Sequence, residues 1–275
     1  NVFEVGTPAM FPMATGSMAM LEFDSMDQRH AWHGGAATDA GDDVRLRTTF
    51  TTASVRVMPG RAWGLDVEVP FVDRDLATRG EDARIADTHH GAIGDVRLRV
   101  LDTAFSPDLS TGVSLGVKLP TGGHAHVGFD RDTEIGTGST DVLVGAYHIG
   151  SWARDAHWQW FAEGQLDAPV ASTRTYRPGR EFAATLALSH AGHELGPVSF
   201  APMLELIGTV RARDTGPDAV PDASGYERLL LAPGLDVRIG SIRVLTQIDV
   251  PVQQRVNGTQ LVAPMLFKGS LSRCF

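Results

Sequence analysis

The 275-residue chain lacks any long apolar run, and this excludes a bundle of membrane-spanning helices. Such a helix needs about 20 consecutive apolar residues, whereas Asp, Arg, Gly or Pro interrupts every candidate stretch. The hydrophobic fraction of 43% is nevertheless too high for a disordered chain. A single cysteine, Cys274, gives no intrachain disulfide. The net charge of -9 argues against a nucleic-acid partner.

Strict alternation of apolar and polar residues is the main pattern present. Between positions 63 and 71 the odd positions carry Trp, Leu, Val, Val and Phe, whereas the even positions carry Gly, Asp, Glu and Pro. Segments 113–119, 229–239 and 242–250 repeat the pattern. A strand of about 10 residues tilted by about 45° crosses the hydrocarbon layer. The pattern therefore predicts an all-β protein, a transmembrane antiparallel up-and-down β-barrel.

The same parity rule predicts about twelve strands, an even number as in bacterial single-chain barrels. The predicted strands are 15–26, 44–58, 61–73, 92–102, 109–120, 138–149, 157–169, 181–191, 197–211, 226–239, 241–252 and 262–275. The parity changes between Phe50 and Val55, which predicts a β-bulge or a misplaced boundary there. We expect an irregular segment, 1–14, followed by a single barrel, 15–275.

The connections between the predicted strands alternate between long and short. The long ones are 27–43, 74–91, 121–137, 170–180, 212–225 and 253–261, and the short ones are 59–60, 103–108, 150–156, 192–196 and 240. Bacterial barrels have short periplasmic turns and long extracellular loops. A soluble β-sandwich or lipocalin-like barrel has no reason to sort its connections in this way. We therefore expect a barrel in the bacterial outer membrane, with the lipid bilayer as a partner and both termini in the periplasm.

The two ends of the chain support further predictions about assembly and processing. The last predicted strand ends at Phe275 with Phe267 and Leu271 on the same face, and this resembles the signal that the bacterial barrel-assembly machinery reads. Arg273 departs from the apolar residue that is usual at its position. At the other end the chain starts at Asn1 without a leader, so we expect that a signal peptide has been removed. Residues 1–14 either plug the lumen or lie across its mouth, and we favour the second.

Four segments carry a family resemblance: GAIGDVRLRV at 91–100, GVSLGVKLPTG at 112–122, GTGSTDVLVGAYH at 136–148 and PVQQRVNGTQL at 251–261. Their order resembles that in outer-membrane transporters associated with the phenol meta-cleavage pathway. The resemblance implies a barrel that lets small, often aromatic or hydrophobic compounds cross the outer membrane. It carries no catalytic residues and names no solute. The first third of the chain, with His30, Trp32 and His33 in a loop, matches less well.

Fourteen polar residues are predicted to line the pore because they share the parity opposite to the apolar face. They are Asp66, Glu68, Arg97, Arg99, Lys118, Glu163, Gln165, Glu205, Arg211, Arg228, Asp236, Arg238, Arg243 and Asp249. Because both signs are present, the lumen is not a field of one sign that would select strongly between anions and cations. Long side chains paired across a twelve-stranded barrel fill much of its bore. Two interpretations stay open, a narrow channel lined by charges and a sealed interior that stabilises the barrel.

Histidines cluster in the predicted extracellular loops, as His30 and His33, His89 and His90, and His124 and His126. The last pair has the spacing of a weak metal site, since neutral imidazole binds transition metals. Nothing in the sequence makes the loops converge, so solvated histidines are the favoured interpretation and we expect no metal and no cofactor. The Asp130, Asp132, Glu134 spacing lacks the features of a twelve-residue Ca²⁺ loop.

The chain has only 5 Trp, 3 Tyr and 12 Phe. Trp63 lies beside one short connection, and Trp152, Trp158 and Trp160 surround another, so these residues predict an aromatic girdle on the periplasmic side. Stacking on an aromatic ligand is the rival interpretation.

An enzyme or an autotransporter has no support in the sequence. No Ser and His are brought together as in the outer-membrane phospholipase barrel, and residues 1–14 do not form a pore-threading helix. We predict a channel for passive passage of small organic molecules, and not an enzyme. The alternative is a structural barrel that anchors or encloses a protein partner without transport.

Overall fold

The computed structural model describes residues 16–39, 43–80, 82, 84–152, 155–190 and 193–275. Within these ranges lie β1 (Gly16–Gln28), β2 (His30–His33), β3 (Ala36–Ala37), β4 (Asp43–Met58), β5 (Trp63–Arg79), β6 (Ile85–Ile93), β7 (Val96–Asp102), β8 (Thr111–Leu119), β9 (Thr140–Trp152), β10 (Asp155–Ala171), β11 (Glu181–His190), β12 (His193–Leu195), β13 (Val198–Arg211), β14 (Tyr226–Ile239), β15 (Ile242–Val256), β16 (Thr259–Val262) and β17 (Leu266–Cys274). A 3-10 turn covers Pro221–Ala223. No helix in these ranges is long and apolar enough to cross a membrane. The segment predicted to be irregular, 1–14, lies outside the described residues.

The strands form a closed antiparallel barrel of twelve strands in the described part of the chain. Neighbours along the chain pair with each other, and β17 pairs back with β1 from Met18 opposite Cys274 to Met26 opposite Leu266. β6 and β7 both pair with β5 and together make one barrel strand, interrupted at Gly94 and Asp95. The predicted fold class is therefore confirmed. We call the end that holds Gly16 and Cys274 the terminal end, and the opposite end the loop end.

The outside of the barrel is apolar, and the inside is polar along most of its length. On β5, Leu65 and Val67 are 46% and 39% exposed, whereas Asp66 and Glu68 are 3% and 2% exposed. A belt of exposed apolar side chains around the whole barrel would be a liability in water, but hydrocarbon chains cover it in a bilayer. Trp63 and Trp152 are exposed at the terminal end of this belt, in the place that an aromatic girdle occupies.

A charge on this belt is expected to destabilise the barrel. Val67→Arg places a guanidinium near the middle of the apolar segment of β5, so the free energy of unfolding should fall by about 2–4 kcal/mol. Val220→Arg, at a 62% exposed loop position, is the matched control and should change little. Urea unfolding in lipid vesicles measures both, and equal effects would contradict a lipid-facing belt.

The bulge predicted in the second barrel strand is absent. β4 pairs with β1 without a break from Leu46 to Met58, and with β5 from Arg45 to Val57. Phe50 lines the interior, on the face of the other even-numbered residues. The parity change in the sequence therefore comes from an aromatic residue that faces inward. A register shift that the sequence did not predict interrupts the pairing of β14 with β15 at Leu229/Leu230.

Three of the predicted long connections, 27–43, 74–91 and 253–261, contain strand residues well inside their bounds, and β2 and β3 lie in the first of them. β5 continues to Arg79 and β6 starts at Ile85, so most of the segment 74–91 is a hairpin that projects past the apolar belt. β15 continues to Val256, and β16 pairs with β2 in a small sheet of three strands over the loop end. The alternation of apolar and polar residues does not reveal these extensions because their outward positions, such as Asp75 and Arg255, lie beyond the lipid and are polar.

The barrel interior is layered along its axis. An apolar cluster near the terminal end contains Met58, Leu101, Tyr147, Phe161 and Ala187. Another cluster fills the loop end, and its members are Met26, Leu46, Leu76, Ile207, Tyr226, Leu230, Ala232, Val256, Val262, Ala263 and Leu266. Many of the charged side chains of the interior lie between these two clusters.

Candidate functional site

The charged layer of the interior is the candidate site, and its first group lies on β4, β5 and β7. Arg56 faces Asp66 across the β4–β5 ladder, and its Nη2 lies 2.9 Å from Asp66 Oδ2. Arg99 faces Asp66 across the next ladder and donates to Glu68. Cross-strand neighbours have their Cβ atoms about 5 Å apart, which brings opposite charges into contact. Alternating signs therefore run from strand to strand.

A second group lies on β8, β9 and β10. Lys118 Nζ is 2.5 Å from Asp141 Oδ2 and 3.5 Å from Asp167 Oδ2. The side chains of Lys118 and Asp141 are 4% and 1% exposed. An ammonium group buried to this extent is tolerated because the two carboxylates compensate its charge.

A third group is rich in carboxylates and lies on β1, β13, β15 and β17. Lys268 lies opposite Asp24, and its Nζ is 4.0 Å from Glu22 Oε2. Gln247 Nε2 donates to Asp249 Oδ1 at 2.8 Å and to Glu205 Oε2 at 3.4 Å. Ala232 and Gly234 of β14 lie between these strands, and their small size leaves room for Glu205 to reach Gln247.

The terminal end of the interior holds a cavity of about 190 Å³. Trp160, Phe161 and Phe200 are among its lining residues, together with Glu205 and Asp236. Asp236 binds Arg243 at 2.8 Å and Arg238 at 2.9 Å. This end therefore combines aromatic surface with a few fixed charges.

Most of the residues predicted to line the pore are turned inward and at least partly buried. Asp66, Glu68, Arg99, Lys118, Glu205, Arg228, Asp236 and Asp249 are buried, and Arg97, Glu163, Gln165, Arg211 and Arg243 are half-buried. Arg238 differs, because its side chain is 57% exposed at the terminal end. That these residues line a conducting path stays a prediction.

The prediction omitted several interior charges. Glu22, Asp24, Arg56, Asp167 and Lys268 lie on the same inward parity as their neighbours, so strict application of the alternation to every strand would have found them. Arg74 and Asp95 also share the inward parity of their strands, but this parity does not reveal their contacts with a loop that is distant in sequence.

That loop connects β8 to β9 and enters the barrel at the loop end; we call residues 120–139 the inserted loop. Arg74 Nη1 donates to the carbonyl oxygens of Thr133 and Glu134, the first at 2.6 Å. Asp95 accepts hydrogen bonds from the backbone N–H groups of Gly122 at 2.9 Å and Thr137 at 2.8 Å. Buried carbonyl and carboxylate groups are satisfied in this way. The loop is therefore held to the wall and narrows the lumen.

The two ends of the inserted loop approach each other closely. A Cβ added at Gly122 would lie 2.7 Å from Gly136 Cα. Glycine at both positions permits this approach, and larger side chains would push the loop out of place. The glycines that end segment 112–122 and begin segment 136–148, two of the segments that carry the family resemblance, thus have a structural explanation.

The loop histidines occupy three different environments. His126 of the inserted loop stacks on His90, with ring centroids 3.8 Å apart and planes 10° apart. His124 lies beside Gly138. His89 lies between Asp75, at 2.9 Å, and Asp73, at 3.5 Å. In the part of the chain that the structure describes, the residues that converge as three possible metal ligands are Asp73, Asp75 and His89.

The pKa values of two adjacent histidines are expected to move in opposite directions. The hydrogen bond to Asp75 and the charge of Asp73 raise the pKa of His89, and burial lowers the pKa of His90. The stabilising pairing of His89 is complete below its unfolded pKa near 6.5 and is lost as the pH rises through the raised folded pKa. NMR titration should show the His89 pKa falling in Asp75→Asn, with His90 as the internal control. An unchanged His89 would contradict the pairing.

Comparisons with known proteins give structural neighbours only. No family model and no curated protein matches the chain. An outer-membrane channel from Pseudomonas putida F1 superposes with a TM-score of 0.73 at 11% identity, over 98% of this chain and 100% of that one. The β domain of a Bordetella autotransporter superposes with a TM-score of 0.58 at 9% identity, over 95% of this chain and 100% of that one.

These similarities concern the fold, because the identities are far below the level that shows a shared family. The chain has the fold of bacterial outer-membrane β-barrels, and its outer face is a continuous apolar belt. Both observations support the predicted location in the bacterial outer membrane.

Proposed function

We propose that the chain is an outer-membrane channel for passive passage of small organic molecules. The observation that carries this proposal is the interior itself, which is polar in its middle layer and holds cavities of about 80 and 190 Å³. Side chains and one inserted loop, rather than a folded domain, restrict the path within the described residues. The structural neighbour from Pseudomonas putida is a channel, which adds support.

The class of solute is proposed to be small and often aromatic or hydrophobic. The resemblance to transporters associated with the phenol meta-cleavage pathway suggests this class. The apolar clusters at both ends of the interior agree with it, because Phe50, Tyr147 and Phe161 offer aromatic contacts on either side of the charged layer. Offset aromatic contacts of this kind add about 0.5–1.5 kcal/mol each. A twelve-stranded barrel limits the solute to small size.

The proposal includes an orientation. With the terminal end in the periplasm, the inserted loop and the small sheet face the outside, where solutes enter. Recognition of Phe275 by the barrel-assembly machinery and the lack of enzymatic activity stay predictions. The alternative, a barrel that anchors a partner, gives no role to cavities in both halves of the lumen.

Two adjacent alanines on opposite faces of the barrel wall provide the test of this proposal. Ala183 lines the interior cavity, whereas Ala184 is exposed on the outer face. In planar bilayers, purified protein should give small single-channel conductance steps, and vesicles containing it should take up a small phenol. Ala183→Trp is expected to lower both signals severalfold by filling the path, and Ala184→Trp should leave them unchanged. Vesicles that take up no solute and show no conductance would overturn the proposal.

A further inference from the structure

The interior cavity beside the inserted loop has an acidic lining. Its volume is about 80 Å³, which holds about two or three water molecules or a small cationic group. Six carboxylates line it, namely Glu22, Asp24, Glu68, Asp95, Asp167 and Glu181. The cationic residues of the same lining are Arg74, Arg97 and Lys118. The lining therefore has a formal excess of three negative charges.

The cationic residues of this lining are engaged by the wall and the loop. Lys118 contacts Asp141 and Asp167, and Arg74 is held by two carbonyl groups of the inserted loop. Arg97 lies opposite Glu68 in one ladder and opposite Lys118 in the next. Lys118 therefore pairs with Asp167 of the lining, and Arg97 lies beside Glu68 of the lining. The charges that act most strongly on Asp24 are instead those of Lys268, Glu22 and Asp249.

One carboxylate of the lining has an oxygen with no hydrogen-bond partner. Asp24 is 3% exposed, and its Oδ1 is without a partner among the described residues. The nearest ammonium group, that of Lys268, also faces Glu22, Glu205 and Asp249. Four carboxylates thus share one cation across β1, β13, β15 and β17. The Asp24 carboxylate lines the cavity, and a buried carboxylate that shares one ammonium group with three others is a place where a further cation would be favoured.

We propose that this cavity is a cation-binding position in the lumen and that the channel prefers cations, including organic ammonium compounds, to anions. The inference rests on the proposed channel function and deepens it. Excess charge of one sign between low-dielectric walls concentrates ions of the opposite sign and repels ions of the same sign. Local grouping of the carboxylates decides the preference, although both signs are present in the lumen as a whole.

Reversal potentials in planar bilayers with a KCl gradient test the proposal. The wild-type protein should pass K⁺ in preference to Cl⁻. The double variant Glu22→Gln and Asp24→Asn removes both carboxyl groups of β1 from the cavity, so the K⁺/Cl⁻ permeability ratio should fall by about threefold or more. Glu227→Gln, at an exposed position of β14, is the matched control and should keep the wild-type ratio. Heat-dependent mobility on SDS gels checks that each variant is a folded barrel.

The outcomes separate this inference from the function on which it rests. Conductance without preference, or with preference for Cl⁻, overturns the cation site and leaves the channel in place. A cation preference that the double variant does not change overturns the assignment to Glu22 and Asp24. Absence of both conductance and phenol uptake overturns both proposals, whereas phenol uptake without conductance overturns the cation site alone. If the double variant does not fold, Asp24→Asn alone is measured, and an unchanged ratio counts against the site.

Discussion

Replacing residues 124–135 by Asn-Gly is expected to raise the single-channel conductance severalfold. The backbone N–H of Gly136 donates to the carbonyl of Gly123 at 2.7 Å, so a two-residue turn can join these glycines without moving the strands. The replacement removes the carbonyl groups that Arg74 binds and the side chain of Ile135, which lines the cavity. The lumen then loses the part of the inserted loop that lies beside the apolar cluster of the loop end.

A milder change should act in the same direction. Arg74→Ala keeps the inserted loop but removes two hydrogen bonds that hold it, and it should give longer or more frequent open states in single-channel recordings. Arg45→Ala, at an outward position where the arginine binds Asp27, is the control. If the shortened loop conducts no better than the wild-type protein, the inserted loop does not limit passage.

Lys118→Met is expected to cause the largest loss of stability. It leaves the carboxylates of Asp141 and Asp167 in the interior without their ammonium group, and Asp141 is only 1% exposed. Breaking a buried pair by removing one partner costs about 3–5 kcal/mol. Urea unfolding followed by tryptophan fluorescence measures this difference.

The control for this prediction is the double variant Lys118→Met with Asp141→Leu. It replaces both partners of the closer ion pair by apolar groups and should recover a large part of the lost stability. A loss below about 1 kcal/mol in Lys118→Met would be typical of an exposed pair. That result would mean that water reaches Lys118 and that the charged layer is more open than its burial indicates.

The barrel could be predicted because every strand has one face toward lipid and one face toward a polar interior, and each environment selects the residue types on its face. Segment 63–71 shows this most clearly, since lipid excludes charge from its odd positions and the interior accepts charge at its even ones. Pairing between consecutive strands then follows from the short connections. The alternation imposed by lipid and interior is local and periodic, and it is therefore visible in the sequence.

The path through the barrel was less predictable, because it depends on contacts between distant segments. Phe50 and Leu46 are apolar yet face inward, where they meet residues of other strands and of the inserted loop. Segment 121–137 has the Gly, His and Asp content of an exposed loop. Its burial depends on Arg74 and Asp95, which no pattern within the segment reveals.

The seam between β1 and β17 has a consequence for assembly. Glu22 and Asp24 belong to the first barrel strand, and Lys268, which lies opposite Asp24, belongs to the last. Until the last strand arrives, the first must hold two carboxylates at membrane depth without their ammonium partner, which is costly in a medium that solvates ions poorly. Closure of the barrel therefore also brings the first strand its nearest cation, and a partly built barrel gains a driving force toward completion at its last step.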